Sequence, residues 1–173
     1  QNVQVLEFSR NDTNSKLREL SNKCTKIIHL AGENRPKDAD EFNKINIDLT
    51  NFICQCIIET GRQIPIIFTS SIQVKLNNTY GKSKLSAEKI IENMSSNHAI
   101  PSVIYRLPGV FGKWCRPNYN SVVATFCYNA INDIPLEMSD PNIILDLVYI
   151  DDVIDDFLLS LTNQKGLCEK RYM

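Results

Sequence analysis

The chain has 173 residues, which suffices for one sizeable α/β domain and is too short for two ordinary ones. Its 19 lysines and arginines against 20 aspartates and glutamates give a net charge of −1, which excludes long-range attraction to nucleic acid or an anionic membrane. No apolar run approaches the roughly 18 residues of a membrane span, and no signal segment opens the sequence, so we expect a cytoplasmic protein.

Strand-like and helix-like segments alternate along the chain, a pattern typical of a parallel sheet with helices on both faces. In chain order, the sequence predicts a strand over residues 3–8, a helix over 14–21, a strand over 26–31, a helix over 40–60, a strand over 65–71, a helix over 80–93, a strand over 102–106, a helix over 120–131, a strand over 143–149 and a helix over 151–161. The polar residues 163–173 read as a linker or tail, which leaves residues 1–162 as the domain. We therefore predict an α/β fold built on a doubly wound parallel sheet.

The cysteines indicate neither a metal site nor a disulfide framework. They form no CxxC pair and lack histidines at metal-binding spacing, so reduced thiols are expected and no metal is predicted. The six positions are Cys24, Cys54, Cys56, Cys115, Cys127 and Cys168.

Hydroxyl side chains end the predicted strand at 65–71, and a tyrosine and a lysine open the next helix. Tyr80 and Lys84 stand four residues apart, so they share one helical face and the ammonium can lie beside the phenol. A nearby cation lowers the pKa of a phenol and makes it a workable proton donor or acceptor near neutral pH. Such a pair on its own is more often just a solvated helix face, so the wider series of motifs decides between the two interpretations.

Four motifs follow one another in a set order: HLAG at residues 29–32, TSS at 69–71, YGKSK at 80–84 and RLPGVFG at 106–112. This order resembles the extended short-chain dehydrogenases/reductases, the NAD-dependent epimerase/dehydratase family. The resemblance implies a Rossmann-like nucleotide-binding domain over residues 1–162. It makes Tyr80 the catalytic acid/base, Lys84 its partner and ribose contact, and Ser71 the third catalytic residue, with Ser70 as the alternative. The cofactor-binding residues that it implies are Leu30, Ala31, Gly32, Asn46, Tyr80, Lys84, Leu107 and Gly109.

A narrower resemblance rests on residues 29–36, 70–73 and 111–121, which are similar to the CapF-type reductases of bacterial capsular polysaccharide biosynthesis. It implies NADPH-dependent reduction of a UDP-linked 4-keto-6-deoxy amino sugar. Arg116 would meet the diphosphate by paired hydrogen bonds. The substrate-binding residues that it implies are Ser70, Arg106, Trp114, Arg116 and Asn118. The alternative is that residues 111–121 form only a glycine-punctuated loop around a core tryptophan.

The sequence departs from the family pattern at three places. Gly109 stands where an RxPNxFG loop has asparagine, and Leu49 replaces the glycine of the NxxGT motif to which Asn46 belongs. No GxxGxxG occurs, so the strand and phosphate-binding turn that begin this fold are missing from the sequence. We therefore hypothesise that the native protein begins some tens of residues upstream. The carboxyl-terminal cupin domain of CapF-type proteins is also absent from the sequence.

The charged residues near the predicted strand at 3–8 indicate which nicotinamide cofactor is bound. Arg10 follows the predicted strand at 3–8, where an arginine favours the 2′-phosphate of NADP and an acid would favour NAD. Glu7 is a competing acid inside that strand, so NADP is expected and NAD is possible.

Two other functions stay open. One is an epimerase or dehydratase that retains NAD, although Ile72 and Gln73 after Ser71 do not match the acid-base pair of the dehydratases. The other is a non-catalytic NADP(H)-binding protein. The family resemblance also implies a homodimer through the helices that start near Asp40 and Tyr80, with no nucleic-acid or membrane partner.

Overall fold

The computed structural model describes residues 3–36, 38, 40–138, 140, 142–162 and 167–173. Their strands form two parallel sheets, one with the order β1-β2-β3-β6 and one that pairs β4 with β5. The strands are β1 (Ile27–His29), β2 (Ile66–Ser71), β3 (Ser102–Leu107), β4 (Gly109–Phe111), β5 (Leu147–Tyr149) and β6 (Cys168–Tyr172). β1 and β2 are neighbours, so His29 and Ser71 end adjacent strands as the sequence predicts.

All five predicted helices are present in the described residues. They are α1 (Asn14–Lys23), α2 (Leu49–Glu59), α3 (Thr79–His98), α4 (Val122–Ile131) and α5 (Ile150–Thr162). A π-helical segment, Phe42–Asp48, leads into α2, and a 3₁₀ turn, Ile72–Lys75, follows β2. Side-chain oxygens of Thr13, Asn78 and Ser121 cap the starts of α1, α3 and α4.

Two hydrophobic clusters cover the two faces of the larger sheet. One contains Phe68 and Ile104 together with side chains from α2 and α3. The other contains Val103 and Tyr105 with Phe157 of α5. Alternate residues of β3 therefore pack on opposite faces, as in a parallel sheet buried on both sides. The prediction of a doubly wound α/β fold is confirmed.

The predicted strand at residues 3–8 is wrong. The structure has no strand there, and Val3 and Val5 are exposed. β1 pairs with β2, and no described strand lies on its other side. Backbone groups of an isolated segment have no ladder to join, so alternation of apolar residues is not enough to make a strand.

The predicted linker or tail at residues 163–173 is wrong for residues 168–172, which form β6 beside β3. Residues 163–166 lie outside the described residues. The polar composition that suggested a tail belongs to a charged edge strand. Lys170 pairs with Glu92, and Arg171 pairs with Asp156 and Glu169. The sheet therefore extends past residue 162, the expected domain boundary.

Among the described helices, none is both long and apolar enough to cross a membrane.

Candidate active site

A cleft of about 940 Å³ opens at the carboxyl ends of the strands. Its lining includes residues that follow or end three strands: Leu30 and Gly32 after β1, Ser70 and Ser71 at the end of β2, and Leu107 and Gly109 at and after the end of β3. Tyr80 and Lys84 line the cleft from α3. Ligands of open parallel sheets bind at this edge. The structure thus brings together the three side chains that the sequence marks as catalytic candidates, Ser71, Tyr80 and Lys84.

Gly81 determines how the start of α3 meets the end of β2. A Cβ at Gly81 would overlap the carbonyl oxygen of Gln73 and lie 3.0 Å from its carbonyl carbon. Asn78 accepts a hydrogen bond from the Gly81 N–H at 2.6 Å and caps the helix. A residue without a side chain therefore lets the first turn of α3 pack against the 3₁₀ turn, which places Tyr80 beside Ser71.

Tyr80 is a protonated phenol at neutral pH. Burial raises its pKa, and the Ser71 hydroxyl acts in the opposite direction. The lowered pKa that we expected from Lys84 is not found, because the desolvation of the phenol dominates. The Lys84 ammonium lies over the Phe68 ring, 4.5 Å from its centroid.

Lys84 is almost completely buried. Burial lowers its pKa to about 8, and the charge of Glu88 opposes this shift. Gly32 faces the ammonium, since a Cβ there would lie 3.2 Å from Lys84 Nζ. On the other side, burial and the Lys84 charge lower the pKa of His29 to about 3, so His29 is neutral and its Nε2 hydrogen-bonds with Thr50 Oγ1 at 2.9 Å.

Asn46, predicted to contact the cofactor, is buried and does not line the cleft. Its Oδ1 accepts a hydrogen bond from the Glu33 N–H at 2.8 Å, and its Nδ2 donates to the Glu33 carbonyl at 3.0 Å and to Ser83 Oγ at 2.9 Å. Ser83 Oγ in turn donates to the Tyr80 carbonyl. Asn46 therefore fixes the loop after β1 against the start of α3.

Three further cofactor and substrate candidates lie away from the lining of the cleft. Arg10 pairs with Glu33 at 2.9 Å and remains 72% exposed. Ala31 is exposed beside Leu30. Arg106 donates three hydrogen bonds to Glu88, from Nε to Oε1 at 2.9 Å and to Oε2 at 3.2 Å, and from Nη2 to Oε2 at 2.6 Å.

The loop at 112–121 presents its predicted substrate residues to solvent. Trp114 is 99% exposed and Arg116 and Asn118 are exposed, and none of the three lines the cleft. Trp114 is thus not the core tryptophan of the alternative interpretation either. The loop contributes Asn120 and Ser121 to the cleft instead.

Several lining residues had not been selected from the sequence. Thr69 hydrogen-bonds the His29 carbonyl at 3.3 Å and lines the cleft between β1 and β2. Asn34 and Arg35 line it from the loop after β1, and Gln73 from the 3₁₀ turn. The signal for Asn34 and Arg35 was present in the motif at residues 29–36, but spacing alone gave no reason to aim these side chains into the cleft.

The chain as a whole is similar to one family of known proteins. The model of the NAD dependent epimerase/dehydratase family matches residues 5–172. The chain is 45% identical over 156 residues to UDP-2-acetamido-2,6-beta-L-arabino-hexul-4-ose reductase of Pseudomonas aeruginosa, a match that covers 90% of this chain and 42% of the relative. The capsular polysaccharide assembling protein CapF of Staphylococcus aureus matches with a TM-score of 0.79 and 32% identity, over 93% of this chain and 44% of that one.

A second solved structure supports the fold alone. UDP-glucuronic acid 4-epimerase of Bacillus cereus, in complex with NAD, matches with a TM-score of 0.80 and 24% identity, over 91% of this chain and 56% of that one. The chain thus spans less than half the length of the reductase and of CapF.

Proposed function

Because the chain belongs to the NAD dependent epimerase/dehydratase family, we propose that it forms the nucleotide-binding part of an NADPH-dependent reductase. The proposed substrate is a UDP-linked 4-keto-6-deoxy amino sugar, and the proposed setting is bacterial capsular or surface polysaccharide biosynthesis. The observation that carries the reductase proposal is the convergence of Ser71, Tyr80 and Lys84 on one cleft. Identity of 45% with a protein named as a UDP-sugar reductase supports the substrate class.

Tyr80 is the proposed proton donor. Reduction of a ketone adds a hydride to carbon and a proton to oxygen, and NADPH supplies the hydride when bound. The raised pKa of Tyr80 keeps the phenol protonated at neutral pH, which is the state that a proton donor needs. Ser71, at the same edge of the cleft, hydrogen-bonds the substrate oxygen, and the phenolate left on Tyr80 regains its proton from solvent.

Lys84 supports this step electrostatically. Because the pKa of Lys84 is about 8, its amine is protonated in most molecules at pH 7. A buried ammonium near the cleft favours the phenolate that Tyr80 becomes when it gives up its proton. The proposed division of labour is therefore proton transfer by Tyr80 and charge stabilisation by Lys84.

The residues at the end of β1 fit a nicotinamide cofactor. Gly32 keeps the space beside Lys84 Nζ free, because any side chain there would begin 3.2 Å from the ammonium and 3.4 Å from Asn46 Oδ1. Leu30 is 62% exposed and offers an apolar surface in the cleft. We propose that Leu30, Gly32 and Lys84 hold the cofactor, with Leu107 and Gly109 on the opposite wall.

NADPH is proposed over NADH because of Arg10. Arg10 does not follow a strand, because residues 3–8 form none. What supports the proposal now is the pair with Glu33, which holds the guanidinium near the loop after β1 while leaving it 72% exposed to a phosphate. A homodimer is also proposed, on family resemblance alone.

An assay of the full-length gene product tests the proposal. Purified protein is mixed with NADPH and a UDP-4-keto-6-deoxy amino sugar, and both NADPH oxidation and the sugar product are followed. The proposal expects stoichiometric NADPH oxidation with formation of the 4-hydroxy sugar. Sugar isomerisation without net NADPH oxidation would instead indicate an epimerase, and NADPH binding without any turnover would indicate a binding protein.

A further inference from the structure

Glu88 is a fully buried carboxylate that the proposed chemistry does not use. It lies on α3, one turn beyond Lys84 and two turns beyond Tyr80, with 0% of its surface exposed. It is not among the residues that line the cleft. Glutamate is almost never fully buried unless it is paired, because removing a carboxylate from water is costly. The partners of Glu88 therefore indicate what the residue does.

Three strands reach Glu88 through their side chains. Ser70 of β2 donates a hydrogen bond to Glu88 Oε1 at 2.5 Å. Arg106 of β3 binds both carboxylate oxygens, and Lys170 of β6 places its ammonium 3.8 Å from Oε2. Paired hydrogen bonds between a guanidinium and a carboxylate restrict both distance and orientation. Glu88 thus joins α3 to β2, β3 and β6.

From these contacts we propose that Glu88 is a positioning residue, which fixes Tyr80 and Lys84 on α3 relative to Ser71 on β2 and holds its own negative charge one helical turn from the Lys84 ammonium. This inference rests on the proposed function. Ser70, held by Glu88, is the direct neighbour of Ser71, and Lys84 stands four residues before Glu88 on the helix. A substitution at Glu88 should therefore disturb the positions of both Ser71 and Lys84, although Glu88 itself does not line the cleft.

Few charges face Lys84 within the described residues. Glu88 faces it from α3, where the protonated Tyr80 stands one turn earlier, and the neutral His29 faces it from β1. The cations of Arg106 and Lys170 are held on Glu88 itself. Burial alone pulls the Lys84 pKa down, and Glu88 is the group that opposes it. Removing the charge of Glu88 should therefore leave Lys84 easier to deprotonate.

The test replaces Glu88 by glutamine in the full-length protein, since glutamine keeps the size and an acceptor for Ser70. The control is Glu92→Gln, one turn further along α3, which removes a carboxylate that pairs with Lys170 but does not contact Ser70 or Arg106. The pH midpoint of Lys84 acetylation by acetic anhydride is followed by mass spectrometry of the peptide that contains it. E88Q should lower this midpoint by about 1 pH unit, the usual effect of one neighbouring charge, and E92Q should leave it in place.

Kinetics supplies the second readout. E88Q should move the alkaline limb of the kcat profile to lower pH and lower kcat more than it raises the KM for NADPH. If E88Q fails to fold because Arg106 is left unpaired, E88Q/R106Q is compared with R106Q, and the double variant should have the lower Lys84 midpoint of the two. An unchanged midpoint in the folded variant overturns the inference. The labelling needs no turnover, so absence of reductase activity in the wild type would reject the proposed function without deciding the role of Glu88.

Discussion

Tyr80 and Lys84 lie at the start of one helix, but burial shifts their pKa values in opposite directions. It favours the neutral form of each, so it raises the pKa of the phenol and lowers that of the amine to about 8. The two pKa values, which lie close together for the free side chains, therefore move apart in the folded protein. A proton donor and a supporting cation that are both protonated at neutral pH fit reduction of a ketone.

Replacing Tyr80 by phenylalanine should lower kcat roughly 10²- to 10⁴-fold, because a positioned general acid is lost while the ring remains. The Kd for NADPH should change little, since the phenol is proposed to act on the substrate oxygen. Stopped-flow NADPH oxidation and a fluorescence titration measure the two quantities. Tyr128→Phe, on exposed α4, is the control. Wild-type turnover in Tyr80→Phe would remove Tyr80 from the mechanism.

His29 should make the protein sensitive to acid. Burial lowers its pKa from 6.5 to about 3 in the folded state, so only the unfolded chain takes up this proton between those values. The stability associated with neutral His29 is fully present above about pH 6.5 and is lost as the pH falls toward 3. Below pH 6 this term reduces the free energy of unfolding by about 1.4 kcal/mol per pH unit.

Urea unfolding between pH 7.5 and 5 checks this prediction. Wild type should lose stability more steeply than His29→Gln, which carries no titrating ring. His98→Gln, at the exposed end of α3, should retain the wild-type slope. Equal slopes for wild type and His29→Gln would mean that His29 is not buried as a neutral ring.

The element that decides the site is the first turn of α3, which packs against the 3₁₀ turn after β2. Asn78 caps it, and Gly81 allows the close approach to Gln73. The π-helical segment before α2 acts from the other side, because its Asn46 bonds both the loop after β1 and Ser83. Insertions of this kind in helices are frequent at functional sites. Three elements are thereby fixed around Tyr80.

Gly81→Ala should therefore destabilise the protein, although alanine is the better helix former. The added methyl group meets backbone rather than a flexible side chain, and overpacking of this kind costs about 1–3 kcal/mol, against a helix-propensity gain of about 1 kcal/mol. Thermal or urea unfolding measures the net loss, and kcat should fall with it as Tyr80 shifts. Lys82→Ala, at the neighbouring exposed position, should stay within about 0.5 kcal/mol of wild type. A stabilised Gly81→Ala would show that the turn can move away.

On the scale of the whole molecule, contacts outside the lining of the cleft join segments that are far apart in the chain. Arg10 forms an ion pair with Glu33 in the loop after β1. At the other side of the sheet, β6 pairs with β3, the strand that carries Arg106. The Arg10 guanidinium is the group that we propose to distinguish the two nicotinamide cofactors. Its contribution depends on the contact with Glu33, since the segment that carries it belongs to neither sheet.

Arg10→Ala should weaken NADPH binding much more than NADH binding, because only NADPH carries the 2′-phosphate that the guanidinium would bind. Fluorescence titration of the full-length protein with each cofactor gives the two Kd values. Arg18→Ala is the control, since Arg18 pairs with Glu59 on α2. Equal losses for both cofactors would exclude Arg10 from the cofactor site.

The sequence by itself determined the alternation of strands and helices and the order of the motifs at the strand ends. Both are local: apolar periodicity defines each element, and the polar residues after an apolar run mark the edge where parallel strands end. His29, Ser71, Tyr80 and Lys84 were therefore found without the structure. The segment at 3–8 and the polar β6 were assigned wrongly, because whether a segment becomes a strand depends on a neighbour that spacing does not supply.

Only the tertiary structure decided what surrounds the catalytic candidates. A pKa depends on the burial and charge that distant segments bring to a side chain, so the raised pKa of Tyr80 could not follow from its spacing to Lys84. The same holds for Glu88, which reads in the sequence as one more acid on an amphipathic helix. Its burial against Ser70 and Arg106 arises because β2, β3 and α3, separate along the chain, pack together in the fold.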